Sequence, residues 1–168
     1  MLSAVKLLIL RKKMLKMVEN HAEKACRLFM EGRNCAQAVF AAFSDITGID
    51  EELSLRLSSS FGGGMGRMRE VCGAVSGMFM VAGVLYGYSS ADDDAEKAEH
   101  YRRIQLLAEK FKEKYNTINC GELLKNLKVN TNPVPEKRTE EYYKARPCIR
   151  FVEAAAEILD EYIECNPL

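Results

Sequence analysis

Apolar residues recur at helical spacing along almost the whole chain, and no segment alternates with period two. The pattern predicts a first helix from about Ala4 to Met30, ended by Gly32. A second runs from Cys35, capped by Asn34, to about Asp45 and stops near Gly48. Asp50 caps a third that carries Leu53, Leu55 and Leu57. A fourth runs from about Glu70 to Tyr86. Ser90 with Asp93 makes a capping-box start for a long charged helix ending near Tyr115, with Asp92, Asp93 and Asp94 offsetting its dipole. Asn119 and Glu122 repeat the signal for a short helix to about Lys128. Asn130 to Lys137, holding Pro133 and Pro135, reads as a loop. The last helix starts at Pro147, a favoured first-turn position for proline, and reaches about Glu164. The expectation is one all-α domain of six to eight helices spanning residues 18–168, with residues 1–17 as an N-terminal helical extension.

Length and charge narrow the classes. At 168 residues the chain supports one well-cored domain. Lys plus Arg and Asp plus Glu each total 24, so the net charge is zero and there is no electrostatic footprint for nucleic acid. The apolar run at Met1 to Leu10 is too short to span a bilayer. Its charges, Arg11, Lys12 and Lys13, follow it, which is the wrong order for a secretory signal. A packed helical extension, a true start at Met14 or Met17, and a membrane-surface anchor are the readings it permits. Without an export signal the expected compartment is the cytoplasm, where six cysteines are reactive, metal-bound or buried more often than disulfide-linked. An apolar face on the N-terminal helix would also suit a homodimer.

Four cysteines fall at predicted helix starts: Cys35, Cys72, Cys120 and Cys148. Unpaired N–H groups and the helix dipole stabilise a thiolate there, making it a better nucleophile or metal ligand. Cys72 follows Phe61-Gly62-Gly63-Gly64-Met65-Gly66 and stands near Arg67 and Arg69, which are expected to lower its pKa. The glycine loop, with Gly62, Gly63, Gly64 and Gly66, is expected to shape the backbone around Cys72 and give N–H groups to sulfur. Gly73 and Gly77 form a small-residue face that admits a neighbouring backbone or a cofactor. The loop lacks the Lys-Ser/Thr ending and preceding strand of a P-loop, which disfavours nucleotide.

No Cys-x-x-Cys is present, excluding thioredoxin-type, zinc-knuckle and c-type haem motifs. One site would have to be gathered from four helix starts. Four thiolates suit an iron–sulfur cluster or zinc; two redox pairs are equally permitted. Cys26 reads as core and Cys165 as frayed. His21 and His100 lie outside Glu-x-x-His motifs, which disfavours a di-iron site. His100 reads as part of a solvated face, and Met78 and Met80 as core filler, not part of a copper cluster with Met65 and Met68.

Phe61 to Arg67, then Cys72-Gly73-Ala74-Val75-Ser76-Gly77, resembles the C_GCAxxG_C_C family of redox-active proteins, named for four cysteines and a CGAxxG motif. Asn34-Cys35-Ala36-Gln37 upstream, and Asn119-Cys120-Gly121 and Arg146-Pro147-Cys148 downstream, fall in the family order. The likeness covers about Val18 to Ile163. Arg69 stands where relatives are expected to carry a small residue, often glycine. The resemblance implies a small helical protein with redox-active cysteines and a redox partner protein. Fusion of related domains to cytochromes implies an electron-transfer centre.

Three functions therefore compete. One is an iron–sulfur or metal centre on Cys35, Cys72, Cys120 and Cys148. Another is a thiol–disulfide oxidoreductase with Cys72 as attacking thiolate. The third is a helical interaction module with buried cysteines.

Overall fold

In a computed structural model, which describes residues 20–168, nine α-helices surround one core. The predicted 1–17 extension and its dimer face lie outside the described residues. In chain order the helices are α1 (His21–Met30), α2 (Cys35–Ala42), α3 (Ser44–Thr47), α4 (Glu51–Ser58), α5 (Gly73–Tyr86), α6 (Asp94–Tyr115), α7 (Cys120–Leu123), α8 (Glu140–Ala145) and α9 (Cys148–Cys165). Among the described residues there is no strand, only an isolated antiparallel bridge between Val71 and Asn119.

Local chemistry sets the boundaries. Asn20 is extended and exchanges capping-box bonds with Glu23, so a helix starts at His21 and the predicted run from Ala4 does not pass through Asn20. The second predicted helix divides at Phe43 into α2 and α3, and Gly48 ends α3 in the left-handed region. Asp93 alone caps α6, its carboxylate accepting from the Glu96 N–H; Ser90 takes no part in that cap. The fourth helix begins at Gly73 instead of Glu70, because Glu70 and Val71 are drawn into pairing with residues 118–120. The Asn119 helix stops at Leu123, short of Lys128. Helix α8 was not foreseen; Thr139 caps it by accepting from the Tyr142 N–H.

Helix α2 is the centre of the molecule, packed by α1, α5, α4 and α9. All but two of its side chains are buried. A Cβ built on Gly73 would lie 2.9 Å from the Phe61 carbonyl, and one on Gly77 would lie 2.8 Å from that of Ala36. These two glycines therefore let α5 approach α2 backbone to backbone. They serve helix packing and leave no room there for a cofactor. Helix α4 inverts the usual pattern: Ser54 and Ser58 are buried while Leu53 and Leu57 are exposed. The Ser58 hydroxyl is satisfied by donating to the Ser54 carbonyl at 2.7 Å. Met78 is core, as expected, whereas Met68 is exposed.

At the far end of α2, His21 stacks on Phe43 with ring centroids 4.1 Å apart. Its Nδ1 lies 2.5 Å from Asp160 and its Nε2 lies 3.1 Å from Asp45. Burial lowers the His21 pKa, but the two carboxylates outweigh it and the net shift is upward. The His21 ring thus links α1, α3 and α9. Among the described residues no helix is long and apolar enough to cross a membrane.

Candidate functional site

The four cysteines do sit at four helix starts. Cys35, Cys120 and Cys148 are the first residues of α2, α7 and α9, and Cys72 is the residue before α5. Asn34 and Asn119 cap two of these ends with their side chains, accepting from the Gln37 and Glu122 N–H groups. Pro147 precedes the fourth.

The glycine loop and a backbone pairing bring the ends together. Gly63, Gly64, Met65, Gly66 and Arg67 all have positive φ, making a left-handed turn, and Arg69 is left-handed as well. Each non-glycine residue held there costs about 1–2 kcal/mol. Such strain persists only where surrounding contacts fix it. Here the Arg69 and Glu70 N–H groups donate to the Gly63 and Gly64 carbonyls, closing the turn. The emerging segment then pairs with residues 118–121: the Cys72 N–H donates to the Ile118 carbonyl at 2.7 Å, and the Cys120 N–H to that of Glu70 at 2.6 Å. Gly64 is so close to α7 that a Cβ on it would lie 2.6 Å from the Cys120 Cβ.

All four thiols lie within electrostatic reach of one another. None is in a disulfide. Cys35, Cys120 and Cys148 line a cavity of about 260 Å³, as do Gly62, Gly63 and Gly66. Cys72 is buried behind it. The Cys148 thiol stands beside Cys35, and its S–H stabilises the Cys35 thiolate. That interaction comes first among the causes; burial opposes it, and the Arg138 charge and the N–H groups of Cys35 itself and Gly63 add to it. The Cys35 pKa is lowered to about 7. That of Cys148 is raised, because its proton is held in the pair, and the two titrate as one unit.

Cys72 behaves contrary to expectation. Burial, followed by the neighbouring Cys35 and Cys120 charges, pushes its thiol up, and the N–H groups of Ala74 and Val75 offset only part. The two arginines near it in sequence are engaged elsewhere. Arg67 donates to the Asn132 carbonyl at 2.5 Å and to the Asn130 side chain at 3.1 Å. Arg69 grips the Asn130 carbonyl through Nε and Nη2 at 3.0 and 2.8 Å and stands beside Cys120. Even so, burial leaves the Cys120 pKa raised. The loop N–H that favours a thiolate is that of Gly63, and it acts on Cys35, not on Cys72.

The far wall, from Pro133 to Arg146, went unnoticed in the sequence. Arg138 lies over Phe29 and Tyr142, 4.9 and 4.8 Å from the ring centroids. Arg146 lies 4.8 Å over the same Tyr142 and donates to both oxygens of Glu136 at 2.7 Å. Two arginines within nine positions, Arg138 and Arg146, flanking Tyr142 and Tyr143, were the available signal. The remaining cysteines stand apart. Cys26 is half-buried with its thiol pushed up to about 11, chiefly by burial, and Cys165 is exposed at the end of α9. His100 is half-buried beside Tyr88.

Three thiols on a small arginine-lined cavity, with a fourth buried close by, give the molecule the donor set of a thiol or sulfur-centre redox site. Residues 33–162 match the family model described as Putative redox-active protein (C_GCAxxG_C_C), and the chain belongs to that family. No curated protein and no solved structure matches it. Among the described residues no group of three or more His, Cys, Asp and Glu side chains is set to hold a metal ion. The donor chemistry of four thiols fits iron–sulfur or zinc, while the arrangement present is one of neighbouring free thiols.

Proposed function

We propose that the protein exchanges thiols and disulfides through Cys35 and Cys148. The single observation that carries this reading is their adjacency at two helix starts on one cavity, with Cys148 as proton donor toward Cys35. The Cys35 thiolate attacks one sulfur of a substrate disulfide, and the bond between the substrate sulfurs breaks. The departing thiolate takes the Cys148 proton. Cys148 sulfur then attacks Cys35 sulfur, closing an intramolecular disulfide and expelling the second substrate thiolate. Two electrons pass to the substrate, and exchange with a reduced thiol returns the pair to its starting state. The attacking role is assigned to Cys35 instead of Cys72 because Cys35 faces the cavity and is the thiol with the lowered pKa.

Alkylation at varied pH tests this. Cys35 is expected to label first, with a midpoint near 7, and mild oxidation should give a reversible Cys35–Cys148 linkage in peptide mapping. Uniformly slow labelling of all six cysteines, or oxidation without that linkage, would refute it.

A second reading is a metal or iron–sulfur centre on Cys35, Cys72, Cys120 and Cys148, favoured by the mutual reach of all four thiols. An iron–sulfur cluster there would supply one-electron transfer, whereas zinc would hold the thiolates without redox chemistry, the four cysteines being the ligands in either case. Iron, zinc and sulfide assays on anaerobically purified protein decide it. Metal-free, colourless protein ends this alternative.

A further inference from the structure

The cavity lined by Cys35, Cys120 and Cys148 also carries four guanidinium groups, of Arg67, Arg69, Arg138 and Arg146, and the Glu136 carboxylate. Three of the four are already engaged. Arg146 is held by Glu136, Arg67 by Asn130, Asn132 and Glu136, and Arg69 by the Asn130 carbonyl. Arg138 differs. Its Nη2 makes one long bond, 3.4 Å, to the Arg33 carbonyl, and its Nη1 is buried with no hydrogen-bond partner.

A buried, unsatisfied donor on a charged group is costly to maintain, so it marks a place where an acceptor is missing. The cost of ordering the side chain has already been met by the protein, since the guanidinium is held over the rings of Phe29 and Tyr142. An anionic oxygen arriving at Nη1 would gain a charge-assisted bond with little further ordering. The same guanidinium acts on the Cys35 sulfur, so anion seat and thiol are neighbours. At about 260 Å³ the cavity holds a small molecule and falls below the usual range for drug-sized ligands.

We infer that this cavity binds a small disulfide carrying a carboxylate, which Arg138 seats so that the sulfur–sulfur bond lies against Cys35. The inference rests on the thiol–disulfide reading and adds the substrate class. Arg138 acts here as a positioning and specificity residue; the electrons and protons move as described above.

Three disulfides of similar size separate charge from reactivity: 3,3′-dithiodipropionate, 2-hydroxyethyl disulfide and cystamine, which are anionic, neutral and cationic. Rates of Cys35 oxidation are measured with the full chain at low salt, each divided by the rate of 2-mercaptoethanol with the same disulfide. The normalised anionic-to-cationic ratio cancels the Cys35 thiolate population. It is expected to exceed ~10, the effect of about 1.4 kcal/mol, and to shrink as salt rises. Arg138→Met should bring the ratio close to unity, and Arg138→Lys should keep part of it. A wild-type ratio near or below one, or a ratio unmoved in Arg138→Met, overturns the inference. In that event, brisk reaction with the neutral disulfide leaves the thiol–disulfide reading standing. Failure of Cys35 to react with any of the three overturns both.

Discussion

The two ends of α2 solve the problem of buried polar groups in opposite ways. At the C-terminal end, His21 is stacked on Phe43 and tied to both Asp45 and Asp160, so every charge there has a partner. At the N-terminal end, Cys35 faces a cavity, beside left-handed residues at Met65, Arg67 and Arg69 and the unpartnered Arg138 Nη1. Strain and unmet hydrogen-bonding capacity gather at the end where the cysteines meet, while the polar groups at the closed end are paired.

The largest effect that would break this contrast comes from the shared middle. Gly77→Leu places a side chain where even a Cβ would stand 2.8 Å from the Ala36 carbonyl. It should destabilise the fold by about 3 kcal/mol or more, read as a fall in urea midpoint, and damage both ends together. Cys148→Ala acts at one end only. It removes the leading stabilisation of the Cys35 thiolate, so the alkylation midpoint should move from about 7 toward the ordinary thiol range. At pH 7 the labelling rate should fall about tenfold or more, with little change in unfolding.

Arg69→Gly sharpens the comparison. Its φ of 66° is one that glycine adopts without cost, so relief of that strain contributes about 1 kcal/mol, set against the loss of both bonds to the Asn130 carbonyl. Its own flexibility in the unfolded chain offsets part of that. The same change removes a positive charge beside Cys120, whose thiol should titrate still higher. The smallest effect is pH-dependent and confined to the closed end. Because the His21 pKa is raised on folding, its contribution is complete below the unfolded value near 6.5 and is lost as pH rises through the folded value. The stability difference between wild type and His21→Gln should therefore narrow with rising pH above 6.5. A constant difference would show that His21 is held by packing alone.

Much of this was legible in the chain because helices and caps are local. Asn34, Asp50 and Asn119 announced their helices, and the four cysteines marked helix starts that the fold brings together. What escaped notice depends on distant contacts. Cys72 has two arginines within five residues, yet loop 130–132 captures both, and nothing in the local sequence encodes that. The low-pKa thiol is instead Cys35, whose neighbour Cys148 is more than a hundred positions away. Similarly, α4 buries Ser54 and Ser58 and exposes Leu53 and Leu57, an inversion that its own apolar spacing does not encode.

The bridge between Val71 and Asn119 carries a consequence for how the molecule is made. A chain emerging from the N-terminus presents Cys35 and Cys72 before the segment that pairs with Cys72 exists, and presents Cys120 before Cys148 and α9 follow. Closure of such distant contacts is slow compared with forming the helices themselves. The nascent protein thus passes through a period in which nucleophilic sulfurs are uncovered and unpaired. Its yield during synthesis should depend on how reducing its surroundings are at that moment.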